Sequence, residues 1–196
     1  MDVKLLDFTG YQLAVRAAKM CYGRPEESGD MSIEESIEFL KKIINLGHES
    51  VLEHSFFVFE VTGLSRACLQ ELARHRHISL SVKSTRWALK SHEDIHIPVG
   101  IPEDLENVYK RYMAQSHAFV NIVREEHGND VAKYFLPEGF TTNLIMSLNL
   151  REFRHMWKVR HSNKALAEFR DLMEGLVNAV SEEVKSLVEY IPDRRG

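Results

Sequence analysis

The residues best suited to chemistry are concentrated in Arg74-His75-Arg76-His77-Ile78-Ser79-Leu80-Ser81-Val82-Lys83-Ser84-Thr85-Arg86. Two arginines flank a histidine at the expected end of a helix, and a hydroxyl-rich stretch follows. Guanidinium forks match phosphate and carboxylate oxygens two at a time. Ser84 and Thr85, with nearby amides, can bind phosphate or orient a polar ring. Cations compensating a helix C-terminus account for Arg74 or His75, but not for so many donors. A second segment runs Asn149-Leu150-Arg151-Glu152-Phe153-Arg154-His155-Met156-Trp157-Lys158-Val159-Arg160. On a helix, Leu150, Phe153 and Trp157 share an apolar side, while Arg151, His155 and Lys158 follow i, i+4, i+7 on another. Asn149 also fits a helix cap, and Arg160 a cation at a helix end.

A third segment, Gly47-His48-Glu49-Ser50-Val51-Leu52-Glu53-His54, pairs two histidines with two acids. It contains no HExxH, and the step from His48 to His54 is not a standard ligand spacing, so no metal is expected. There is also no GxGxxG after a strand and no GxxxxGK[ST], so neither a Rossmann nor a P-loop nucleotide site is indicated.

Charge points the same way as the motifs. The 196 residues carry a net charge of −4. Residues 74–92 hold five Lys/Arg and no acid, and residues 151–164 hold five more with Glu152 as their one acid. Without those stretches the balance is −13. An acidic body with two concentrated basic stretches suits an anion site, although two solvated helix faces would give the same count. Hydrophobic residues at 44% and charged residues at 28% describe a folded soluble chain. No apolar run approaches the ~20 residues of a membrane span, and MDVKLLDFTG lacks the apolar core of a signal peptide. Two cysteines without a CxxC pair, Cys21 and Cys68, fit a reduced, cytoplasmic protein.

The elements that must position these segments follow from periodicity. Val3–Leu6 reads as a strand and Tyr11–Cys21 as a helix, with Leu13, Ala14, Ala17, Ala18 and Cys21 at helical spacing. Ser32 with Glu35 forms a capping box for a helix whose stripe is Ile33, Ile37, Leu40 and Ile44, widened by Phe39 and Ile43 and stopped at Gly47. Phe56–Thr62 reads as a largely buried strand ended by Gly63, and Ser65 caps a helix to about Arg74. Residues 79–87 read as loop or extended. A long helix from Pro102 to about Glu126 offers Leu105, Tyr109, Tyr112, Phe119 and Ile122 to the core. After Gly128 a short helix restarts at Asn129 or Asp130, and Thr141–Ser147 reads as extended. Asn149 with Glu152 reads as a second capping box, opening a helix to about Arg160. From Leu166 to Ile191 the apolar period predicts one continuous helix. The sum is a helix-rich α+β protein with a few strands.

Arg74-His75-Arg76 followed after seven residues by Ser84 resembles the signature of the flavin-dependent thymidylate synthase family. Gly47-His48-Glu49-Ser50…Glu53-His54, Lys133 before Leu136-Pro137, and Asn149-Leu150-Arg151…Arg160 are similar to other family segments, in the same order and spacing. The likeness covers about residues 1–175. It departs at Ser81-Val82, where many members have Asn-Glu, at His155 for a common Asn, and at Trp87 for a frequent Tyr.

The resemblance implies one domain over residues 1–196. It implies an α+β fold with a small, mostly antiparallel sheet and long amphipathic helices, assembled as a homotetramer with shared active sites. It implies conversion of dUMP to dTMP, with 5,10-methylenetetrahydrofolate as carbon donor, reduced FAD as hydride donor and NADPH to regenerate it. Ser50, Arg74, His75, Arg76, Asn149, Leu150, Arg151 and His155 are carried over as FAD contacts. Glu71, Arg74, Val82, Lys83, Ser84, Thr85, Arg86, Lys133 and Arg160 are carried over toward dUMP. Arg160 is the expected catalytic residue, because a guanidinium can stabilise charge that builds on the pyrimidine. The flavin route needs no cysteine nucleophile; Cys68 and Cys21 both sit on apolar helix faces. The competing readings are a nucleic-acid-binding protein and a metal-dependent nucleotide hydrolase. The acidic remainder argues against broad binding to a nucleic-acid backbone.

Overall fold

The computed structural model describes residues 1–86 and 94–192. Trp87 and Lys90, which belong to the first basic stretch and its departures, lie outside the described residues. Four strands form one antiparallel sheet in the order β1-β2-β4-β3. They are β1 (Asp2–Phe8), β2 (Phe56–Ser65), β3 (Ile78–Val82) and β4 (Thr141–Asn149). The helices are α1 (Gln12–Met20), α2 (Ile33–Asn45), α3 (Arg66–Leu72), α4 (Glu103–His127), α5 (Asn129–Ala132), α6 (Leu150–Arg160), α7 (Ala167–Asn178) and α8 (Glu182–Val188).

The sheet is half-buried, as the alternation on its strands requires. Phe57, Phe59 and Val61 of β2 and Leu144, Met146 and Leu148 of β4 face the core, while Phe56 and Ile145 are exposed. Phe153 of α6 meets the rings of Phe57 and Phe59 edge-on at 5.5 and 5.8 Å. This contact seats α6 on the sheet, with each ring's positive edge toward a neighbour's π face. The strand expected to stop at Gly63 instead continues to Ser65. A bulge between Val61 and Leu64 absorbs Gly63, whose φ of 75° suits a residue without Cβ. Of residues 79–87, expected to be loop or extended, 79–82 join Ile78 in β3 and pair with β4 from Ile78↔Leu148 to Val82↔Leu144.

Three other expectations change. In α1 the inward face is Ala14, Val15 and Ala18; Leu13 is exposed, and Cys21 lies beyond the helix, also exposed. The small side chains let α1 approach the core closely and leave the larger Leu13 outside. In α2 the capping box at Ser32 and Glu35 forms as expected, but Ile33, in the first turn, is exposed. The helix expected over 166–191 is two helices, broken where Ser181 turns extended (ψ 158°). The apolar period survives the break because α7 and α8 bury Phe169, Leu172, Leu176, Val184 and Leu187 in one core. A second, smaller core joins Met113, Val120 and Val123 of α4 to Ala132, Leu136 and Phe140.

α4 is the largest departure. Of the five residues expected in its core face, only Tyr109 packs inward. Leu105, Tyr112, Phe119 and Ile122 are exposed, and so is Val108. Positions 105, 108, 112, 119 and 122 keep a seven-residue a/d spacing, so α4 carries a second apolar seam besides the one it buries. Among the described residues no helix is long and apolar enough to cross a membrane.

Candidate active site

α3 begins at Ser65, whose hydroxyl accepts the amide proton of Cys68 at 3.0 Å. After the helix, the His75 amide donates to the carbonyl of Leu72, a turn that carries the His75 ring inward to 8% exposure. Arg74, Arg76 and His77 stay exposed. β3 starts at once with Ile78, and its pairing with Leu148 brings the motif beside the end of β4. There Asn149 accepts from the Glu152 amide at 2.9 Å and starts α6. The register of one strand pair therefore joins segments 75 residues apart in sequence.

Arg74, His75, Arg76 and His77 line one side of an open pocket of about 460 Å³, and Glu152, His155, Val159 and Arg160 line the other. The second half of the expected capping box does not form. The Glu152 carboxylate, in a side chain 7% exposed, turns away from the backbone and meets His75 Nδ1 at 2.9 Å. On the other side of the ring, Arg160 Nε donates to His75 Nε2 at 3.1 Å. Arg160 Nη1 donates to Glu71 Oε2 at 2.9 Å, and its guanidinium lies 4.9 Å from the Phe169 ring centroid. Arg160 is thus held on three sides. Burial lowers the His75 pKa below the ordinary imidazole range; the Arg160 and His155 charges add to the shift, and Glu152 opposes it. His75 is neutral near pH 7. Glu71 also lies 3.6 Å from Arg74.

The expected site residues fall into three groups. Arg74, His75, Arg76, His155, Arg160 and Glu71 assemble at this pocket. Ser50 and Arg151 form a second group: Ser50 lies on the 3-10 turn Glu49–His54, and Arg151 Nη1 donates to Glu53 of that turn at 2.5 Å. Ser84, Arg86 and Lys133 form a third. Arg86 makes a two-point pair with Asp130, Nε at 2.6 Å and Nη2 at 2.9 Å, and the charge of Lys133 helps hold the Asp130 carboxyl below its usual range. β3 puts six residue steps, about 20 Å, between His77 and Lys83. The first and third groups of one chain thus stand at opposite ends of that strand. Thr85 is half-buried, and Val82 and Ser84 are exposed. Leu150 is fully buried, so only its backbone is open to a ligand, and its amide already donates to Ser55.

Sequence reading missed Glu152 as a partner of His75, and Glu53 and Asp130 as counterions. The available signal was that Glu152, His155 and Val159 recur at i, i+3, i+7 on one face of α6. Potential ligand atoms of His75, Glu152 and His155 lie within 4.8 Å of one another. In this trio the His75 ring already spends Nδ1 on Glu152 and Nε2 on Arg160. His48, Glu49, Glu53 and His54 form no such group among the described residues. Cys68 is buried, and burial first, then the Glu168 and Glu71 charges, push its thiol pKa far up. That is the opposite of an activated nucleophile.

Residues 4–184 match the family model described as thymidylate synthase complementing protein. The flavin-dependent thymidylate synthase of Campylobacter jejuni is 36% identical, over 97% of this chain and 97% of its own length. That of Helicobacter pylori is 35% identical over 96% and 98%, and that of Thermococcus kodakarensis 30% over 96% and 82%. A crystal structure of the Helicobacter pylori enzyme complexed with FAD and dUMP superimposes with a TM-score of 0.82 at 33% identity, covering 96% of this chain and 98% of that one. Fold, sequence and the order of the basic segments agree, and the chain belongs to the thymidylate synthase complementing protein family, that of the flavin-dependent thymidylate synthases.

Proposed function

We propose that this protein is a flavin-dependent thymidylate synthase that methylates dUMP reductively to dTMP. It takes its carbon from 5,10-methylenetetrahydrofolate, and NADPH restores the reduced flavin. The observation that carries this reading is the convergence of Arg74–Arg76 and the α6 face on one pocket, with Arg160 fixed at its edge.

The donor set fits FAD. Its pyrophosphate calls for exposed guanidinium forks, which Arg74, Arg76 and Arg151 supply, and its ring carbonyls call for neutral or cationic N–H donors, which His155 and the α6 terminus supply. FAD, when bound, supplies the hydride. The chain's own residues do the rest. Arg160 keeps N–H groups on Nη1 and Nη2 beyond those given to His75 and Glu71, and can hold a pyrimidine carbonyl as negative charge builds there. Its charge does not change during the reaction, so it stabilises without moving a proton. Ser84, Thr85, Arg86 and Lys133, with Val82 and Lys83 beside them, hold the nucleotide phosphate; the Lys83 amide itself is spent on the Asn143 carbonyl.

The span of β3 supports a site completed between chains, with the phosphate group of one chain meeting the pocket of another in a homotetramer. The exposed seam of α4 is the surface we assign to that assembly. The whole chain acts as one domain, in the cytoplasm, where Cys21 and Cys68 stay free thiols.

The test is direct. The purified protein is expected to bind FAD and to form dTMP from dUMP, methylenetetrahydrofolate and NADPH. Arg76→Ala and Arg151→Ala are each expected to weaken FAD in a titration by ~1.5–3 kcal/mol per lost charge-assisted contact. A colourless, metal-loaded protein that hydrolyses nucleotides, or unchanged FAD affinity in both variants, would overturn the assignment.

A further inference from the structure

We propose that Glu152 is a positioning residue for Arg160: by accepting the Nδ1 proton of His75, it leaves Nε2 as the acceptor that aims the guanidinium. This rests on the reading of the pocket as the thymidylate synthase site, with Arg160 facing the pyrimidine.

The argument starts from what each group can do. A guanidinium only donates, so His75 Nε2, 3.1 Å from Arg160 Nε, must present its lone pair. A carboxylate only accepts, so the ring proton belongs on Nδ1, 2.9 Å from Glu152 Oε1. Both neighbours select the same tautomer. In the other tautomer, two N–H groups would face each other at 3.1 Å while the buried Glu152 carboxylate lost its imidazole donor. Either defect costs more in a buried site than in water. A protonated ring would set two cations and two donors against each other. The chain Glu152–His75–Arg160 therefore works only with a neutral, Nδ1-protonated histidine. Its logic is that of a carboxylate orienting a functional imidazole, although here His75 moves no proton.

Glu71 accepts from Nη1 and the Phe169 ring stacks on the guanidinium without accepting an in-plane hydrogen bond, so His75 is the acceptor that fixes Nε. Without the His75 acceptor the planar guanidinium can turn about its Cδ–Nε bond while a single Nη–H still pairs with Glu71. A docking error of this kind affects the charge that builds late in the reaction more than the binding of dUMP.

The groups that face His75 are Glu152, His155 and Arg160 from α6 and the uncharged Phe169 from α7. Arg74, Arg76 and His77 flank it in sequence, and Glu71 of α3 reaches it through Arg160. Among the described residues, Glu152 is the one anion in direct contact. Removing its charge leaves cations around the ring and makes protonation harder.

The experiment compares wild type, Glu152→Gln and Glu152→Ala as full-length proteins loaded with FAD. Glu152→Gln keeps an oxygen that accepts from Nδ1–H. It should hold kcat within a few-fold of wild type while the acid limb of kcat moves to lower pH. Glu152→Ala should lower kcat roughly 10–100-fold, the range for partners that orient a functional imidazole. Its KM for dUMP should change little. Ring ¹⁵N shifts are recorded on the same samples and on the FAD-free protein. They should place the His75 proton on Nδ1 in wild type and Glu152→Gln, and the Arg160 Nε–H should exchange faster with solvent in Glu152→Ala. A wild-type His75 protonated on Nε2, or unaltered Arg160 Nε–H exchange in Glu152→Ala, would overturn the proposal whatever the activity. Absence of dTMP synthesis in wild type would instead overturn the functional reading, with the nitrogen data still deciding the hydrogen-bond chain.

Discussion

At the scale of single residues, the decisive contrast is between charge present throughout the reaction and charge that appears in it. A nucleotide phosphate is anionic before and after the barrier, so Lys133, in the phosphate role proposed for it, would contribute nearly uniform binding. Lys133→Ala should raise the KM for dUMP and leave kcat nearly unchanged. In the proposed site Arg160 faces charge that builds on the ring, and Arg160→Ala should then lower kcat by ~10²–10³. Arg160→Lys should rescue poorly, since one ammonium cannot reach His75, Glu71 and a ligand at once. Steady-state dTMP formation against dUMP, with FAD occupancy read from absorption, separates the two. An Arg160→Ala enzyme with full kcat at saturating dUMP would leave Arg160 a binding residue only. The thiols give a second prediction. A Cys21→Ala, Cys68→Ala double variant should keep dTMP synthesis and lose roughly 1 kcal/mol of stability, from the buried Cys68 alone. Loss of turnover in a folded, FAD-loaded double variant would contradict the flavin route. Arg74–Arg76 stood out in the sequence through its density of donors, whereas Arg160 by itself reads as a helix-end cation and was singled out only by the family resemblance. Glu152 was not legible, because Asn-x-x-Glu reads identically whether the acid returns to the helix N-terminus or crosses to a histidine 77 positions away.

At the scale of elements, two contacts decide how the helices sit. Arg154 is 7% exposed, and its guanidinium donates to the Leu187 carbonyl and, at 3.0 Å, to the Tyr190 carbonyl. It satisfies the Leu187 carbonyl that α8 leaves open at its C-terminal end, where a cation is favoured, and the Tyr190 carbonyl just beyond the helix. Arg154→Met keeps much of the apolar stem and loses both bonds. We expect a loss on the order of 2–4 kcal/mol by urea unfolding, since bonds to charged groups contribute ~1.5–3 kcal/mol each and the change also removes a burdensome buried charge. The second contact is between α7 and β1, where a Cβ on Gly175 would fall 2.8 Å from Val3 Cγ2. Gly175→Ala gains up to ~1 kcal/mol of helix propensity but overpacks by ~1–3 kcal/mol. It should be neutral to destabilising alone and stabilising in a Val3→Ala background, a coupling that a double-mutant cycle reads directly. Helix caps at Ser32, Ser65 and Asn149 were legible from local chemistry. The break at Ser181 was hidden because two helices on one core preserve the apolar period of a single helix.

At the scale of the whole molecule, α4 shows why periodicity reports burial without naming what does the burying. Met113, Val120 and Val123 meet this chain's own second core, while Leu105, Tyr112 and Ile122 keep a separate seam exposed. If that seam joins copies, light scattering should give four times the chain mass of 22.7 kDa. Tyr112→Glu with Ile122→Glu should lower that mass and weaken FAD, because each site then loses the residues another chain contributes. A mass unchanged by both substitutions would move the interface elsewhere. The ion pairs Arg86–Asp130 and Arg151–Glu53 have a consequence at this same scale. A ligand anion arriving at either guanidinium does not find an open charge; it must displace a tethered carboxylate of high local concentration. Recognition there is an exchange of anions, and a monovalent competitor such as chloride gains nothing from it. At Arg86, in the proposed phosphate site, a phosphate monoester would win the exchange with its second negative charge, which it sheds below pH ~6. In the proposed site, Asp130 beside Arg86 would thus act as a threshold, favouring a nucleotide's dianion over small monovalent anions.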